Sequence, residues 1–138
     1  MLARVLFALG LLCSAAAAGS AEEVKLLALG LADHAVTQGE LEQGAALSPP
    51  RFNTPAVAYV LLDGLAEGDE VEIALVKDGK ALMHNKATAD DAVPLLLQAG
   101  KTGVPAGGWP EGEYNAAVIV TRNGKPVLTQ SSEPRPFE

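Results

Sequence analysis

The sequence predicts an all-β protein, a single antiparallel β-sandwich of about seven strands behind a cleaved signal peptide. Three observations carry this reading. Apolar residues alternate with period two in several short runs, the periodicity of strands that bury one face. Asp78-Gly79 and Asn123-Gly124 each separate two such runs, and these dipeptides tolerate the positive φ angles of a hairpin turn. Turn-forming clusters recur about every 8–12 residues, and no stretch has the pattern of a helix crossing between parallel strands. With 138 residues and 49% hydrophobic composition, the chain suits one domain with its own core and is too apolar for disorder.

Residues 1–21 have the three-part layout of a secretory signal. Arg4 supplies the charge, Val5 to Leu12 the apolar run, and Ser14 to Ala21 the small residues, with cleavage after Ala18 or Ala21. The run is shorter than the ~20 apolar residues that span a bilayer, so no stable membrane insertion is expected after cleavage. Cys13 follows Leu11-Leu12, a poor context for lipid attachment, and is read as part of the discarded segment. Removing Arg4 and Cys13 leaves nine basic and 17 acidic residues, a net charge of −8, and no cysteine. A disulfide-free exported domain points to a bacterial periplasmic or secreted location. The acidic balance has the wrong sign for nucleic acid.

Domain residues 22–131 then read in order. An opening strand is expected around 24–32, although its leucines and alanines would also suit a helix. Residues 37–46 read as a loop with some helical character. Ser48-Pro49-Pro50 is a turn before Ala56-Val57-Ala58-Tyr59-Val60-Leu61-Leu62, which is apolar on both faces as a central strand would be. In the run from Glu70 to Lys77, residues Val71, Ile73 and Leu75 face one way and the glutamates the other. From Tyr114 to Thr121, the inward set is Tyr114, Ala116, Val118 and Val120. Each of these runs leads to one strand of a hairpin, through Asp78-Gly79 and Asn123-Gly124. Residues 92–99 suit a strand or a helical turn. Residues 132–138 are expected to be an extended, frayed tail.

The turns and core positions over about residues 50–131 resemble bacterial secreted immunoglobulin-like domains. Trp109-Pro110-Glu111-Gly112-Glu113-Tyr114, an alternating strand and then Asn123-Gly124-Lys125 are similar to the closing half of such domains. Phe52, Val57-Ala58-Tyr59-Val60 and Gly68-Asp69-Glu70-Val71 are similar to the first half. The resemblance implies a sandwich that hosts binding modules, adhesins, chaperones or spacers. The chain lacks the cysteine pair and the mid-strand tryptophan of antibody-type domains.

No catalytic constellation is present. Gly-x-Ser-x-Gly is absent and no cysteine nucleophile survives export, so the chain reads as non-enzymatic and without a cofactor. Five aromatic residues remain after the signal: Phe52, Tyr59, Trp109, Tyr114 and Phe137. Trp109, between Gly107-Gly108 and Pro110, reads either as a loop anchor for an envelope protein partner or as a cap on the core beside Tyr114. Tyr114 is expected to hydrogen-bond across its loop as a tyrosine corner does, and both residues form the candidate partner site. The alternative is a periplasmic copper or zinc protein using His34 and His84. The acidic stretch from Asp63 to Glu70 and Asp90-Asp91 fit no calcium loop and read as solvated turns.

Overall fold

Alternation decides which side of each strand is buried, and that sets the architecture. The computed structural model describes residues 23–44, 46–90, 94–101 and 103–138. Its elements in order are β1 (Lys25–Ala32), α1 (Gln38–Glu42), β2 (Ala56–Asp63), β3 (Glu70–Lys77) and β4 (Lys80–Thr88). They are followed by β5 (Leu95–Lys101), β6 (Glu113–Arg122), β7 (Lys125–Ser131) and β8 (Arg135–Pro136). The proposed signal segment, with Arg4 and Cys13, lies outside the described residues, as does Asp91.

One sheet has the order β1-β2-β5. The other runs β4-β3-β6-β7, with the short β8 also paired to β6. All pairings are antiparallel. The inward faces of the central strands meet between the sheets. Val60 and Leu62 pack there with Val71, Ile73, Leu75, Tyr114, Ala116, Val118 and Val120, all fully or almost fully buried. β-branched and aliphatic side chains suit this pleated interface, and their burial is the main stabilising term. β2 is buried on both faces, because Val57 and Leu61 on its outer side are covered too.

Both hairpins close as their dipeptides require. Asp78 and Gly79 have φ of 49° and 82°, and Asn123 and Gly124 have φ of 54° and 80°. Positive φ at both central residues turns the chain with the twist of the flanking strands. Residues 95–101 form a strand rather than a helical turn, because their register along β2 places Leu95, Leu97 and Ala99 inward.

The loop expected at 37–46 contains α1, one turn started by a capping box. Thr37 accepts from the Glu40 N–H, and the Glu40 side chain accepts from the Thr37 N–H. This β1–β2 connection lies over the outer face of the three-stranded sheet. Gln98, pointing outward from β5, accepts from the Val36 N–H at 2.7 Å and donates to the Val36 carbonyl at 3.0 Å.

Residues 132–138 are extended as expected but docked rather than frayed. β8 pairs Arg135 with Tyr114 and Pro136 with Glu113. Pairing with β6 therefore continues beyond residue 131. The reason is Phe137, whose ring has an apolar seat on Tyr114.

Candidate functional site: an aromatic cleft at one end of the sandwich

Strand direction gathers the β1–β2 connection, the Asp78-Gly79 turn, the β5–β6 loop and residues 133–138 at the same end. All five aromatic side chains of the described residues sit around this end. The core between the sheets is otherwise filled by Val, Ile, Leu and Ala.

Trp109 is placed by backbone geometry. Gly107 and Gly108 have φ of 79° and 89°, and the Gly108 N–H donates to the Pro105 carbonyl. A Cβ at Gly108 would lie 2.7 Å from the Phe52 ring and 2.9 Å from its carbonyl oxygen, so only glycine fits. The Trp109 N–H then donates to the Phe52 carbonyl, and its indole N–H donates to the Thr54 carbonyl, both at 2.8 Å. With its indole N–H bonded and 7% of its surface exposed, Trp109 caps the core. It is not a free loop anchor in this conformation.

Tyr114 opens β6 and is fully buried. Its hydroxyl donates to the Pro110 carbonyl at 2.6 Å, the corner expected from the sequence. Burial pushes the Tyr114 and Tyr59 phenols above their ordinary pKa. Phe137 stacks on Tyr114 with ring centroids 3.9 Å apart and planes 9° from parallel. Trp109 meets both rings edge-on, at 6.1 Å from Tyr114 and 6.0 Å from Phe137.

Two cavities flank Pro136 and Phe137. The larger, about 500 Å³, lies between β1 and the closing segment and is lined by Leu31, Pro50, Arg51, Tyr59, Tyr114 and Phe137, among others. The smaller, about 300 Å³, is bounded by Phe52, Trp109, Pro110 and Phe137. The larger volume is in the range of small-ligand and side-chain pockets, with apolar walls and a few polar groups. Arg135 is paired with Glu133 at 3.1 Å. Phe52 is half exposed at the rim of the smaller cavity.

The remaining predicted residues lie apart from this cleft. His34 stands between Asp33 and Glu40, with ring nitrogens 2.8 and 3.0 Å from their carboxylates. The Asp33 and Glu40 hydrogen bonds raise its pKa above the ordinary histidine value. His84 lies opposite Ala74 on the outer face of the other sheet, 3.4 Å from Glu72. Among the described residues, no group of three or more His, Cys, Asp or Glu side chains is placed to hold a metal. The arrangement brings Trp109 and Tyr114 together and leaves His34 and His84 separate.

The sequence reading missed Phe52, Tyr59 and Phe137 as site residues. Their signal was present in composition: with so few aromatics and a core that strands fill with aliphatics, the aromatics were free to cluster elsewhere. No protein-family model, curated protein or solved structure matches this chain.

Proposed function

We propose that this chain is a small exported, non-enzymatic binding module of the bacterial envelope, engaging a protein partner through the aromatic cleft. The observation that carries the reading is the gathering of all five aromatic side chains around two adjoining cavities at one end of the sandwich. Aromatic side chains offer large contact area at low entropic cost, which is why they dominate protein contact sites. Trp109 and Tyr114 serve there as fixed walls, and Phe52 and Arg51 as the exposed rim.

The reading of an immunoglobulin-like relationship draws on the two facing antiparallel sheets and on the Tyr114 corner at the start of β6. β4 stays with β3 instead of crossing to β5, so the fourth long strand joins the sheet of β3, β6 and β7, whereas in constant-type domains it joins the sheet of the first two strands. Export to the periplasm rests on residues 1–21, and no described helix is long and apolar enough to cross a membrane.

Photocrosslinking in the native envelope tests the reading. A benzophenone amino acid at Phe52 should give a discrete protein adduct, while the same probe at Leu82, exposed on β4, should not. Equal labelling at both positions, or none at Phe52, would refute it.

A further inference from the structure

Residues 133–138 run along the larger cavity, and Pro136 and Phe137 form the wall that it shares with the smaller one. We propose that this segment is a resident pseudo-ligand, and that the cleft recognises extended partner segments of the type proline, any residue, proline, aromatic. This rests on the cleft being the binding site and specifies the chemistry of its occupant.

The segment Glu133-Pro134-Arg135-Pro136-Phe137-Glu138 sits on the domain as a bound peptide would. It contributes one aromatic anchor, Phe137, to the slot formed by Tyr114 and Trp109. Its main chain pairs with only two residues of β6. The Phe52 N–H donates to the Glu138 main-chain oxygen at 3.1 Å. Two prolines in six residues remove two donors, so the pairing cannot lengthen into a full ladder. Proline also holds the segment extended before it binds, which lowers the entropy lost on docking.

Retention is slight. Glu133, Pro134, Arg135, Pro136 and Glu138 are all exposed, and only Phe137 is half-buried. The walls beneath also have partners outside the segment. Trp109 is fixed by Phe52 and Thr54, and Tyr114 by Pro110, so the slot persists when Phe137 leaves. The cavities of about 500 and 300 Å³ on either side are space that the resident segment leaves unfilled. A partner segment with larger flanking side chains would bury more surface than the resident does, and this difference drives displacement. Backbone pairing at Glu113 and Tyr114 calls for a polypeptide, whereas a sugar could use only the ring faces.

Trp109 is the single tryptophan of the chain, so its emission reports the slot directly. In the full chain, Phe137→Ala should shift that emission to the red. The synthetic peptide of residues 131–138 should reverse the shift, binding at least about tenfold more tightly to Phe137→Ala than to the wild type. The same peptide with alanine in place of its phenylalanine should bind at least about tenfold more weakly. A folded Phe137→Ala protein that ignores the peptide at millimolar concentration overturns the proposal, as does equal affinity for variant and wild type. Reversal by an oligosaccharide and not by the peptide also overturns it.

If Phe137→Ala does not fold, amide exchange in the wild type decides. The Phe52 amide, bonded to Glu138, should exchange at least about tenfold faster than the Trp109 amide, bonded to Phe52. Equal rates refute a displaceable segment. Loss of peptide binding with a persistent crosslink at Phe52 would sink this proposal alone and leave the binding-module reading standing.

Discussion

Replacing Asp69 by Asn should remove about 3 kcal/mol of stability at neutral pH. Asp69 lies at the end of the sandwich opposite the aromatic cleft, with its side chain 1% exposed. Its carboxylate accepts from Arg122 Nε at 2.9 Å, from Arg122 Nη2 at 2.7 Å and from the Ala66 N–H at 2.8 Å. Its main chain bonds Ala66 and Ala89. One residue thus ties the β2–β3 corner to the ends of β4 and β6. An Asn amide can satisfy at most part of this set and turns an NH₂ toward donors. Breaking a buried ion pair by removing one partner costs about 3–5 kcal/mol, and the lower end applies because Arg122 is partly exposed and regains water. For a domain of this size that is a fall of about 12 °C in Tm.

The pH dependence makes the test sharper. The Arg122 hydrogen bonds, aided by the Ala66 N–H, hold the Asp69 carboxyl below the usual carboxylate range. A carboxylate with depressed folded-state pKa stabilises fully above its unfolded pKa and loses that contribution as pH falls through the folded value. Urea denaturation should therefore give a constant gap between wild type and Asp69→Asn from pH 8 to 5. The gap should narrow below about pH 4. A gap under about 1 kcal/mol at pH 7, or one that shrinks between pH 7 and 5, would refute the reasoning.

Two further outcomes follow from the same physics. Tyr114→Phe removes the 2.6 Å hydrogen bond to Pro110 while keeping the ring stack, and should cost about 1 kcal/mol in urea denaturation with the Trp109 emission unchanged. An NMR titration should place the His34 pKa above the ordinary histidine value, with Asp33→Asn lowering it most, since Asp33 supplies the larger hydrogen bond effect. Because this pKa is raised on folding, the stabilisation is complete below the unfolded histidine value and fades as pH climbs through the folded one.

The strands that were easiest to read carry two signals at once. β3 and β6 combine an apolar residue at every second position with a defined turn at one end, so their inward faces were legible from residues alone. β5 was not, because Leu95-Leu96-Leu97 is apolar on consecutive residues and periodicity cannot separate a strand from a helical turn there. Neighbouring β2 decides it by pairing along its length. The same holds for residues 133–138. Two prolines and exposed polar residues read as a free tail, and only the contact with Tyr114, 23 residues before Phe137, gives them a place. Tyr114 itself was legible as a corner residue, since its partner Pro110 is four residues away. Trp109 left two readings open, and the indole hydrogen bond to Thr54, 55 residues distant in sequence, selected the cap.

What the chain determines locally is the strand set, the two left-handed turns and the inward faces, because period-two burial and positive φ are properties of short stretches. Which strands share a sheet, where the five aromatics meet and what holds residues 133–138 are decided only in three dimensions. Those features depend on contacts between distant residues, whose energies appear only once the two sheets have closed on each other.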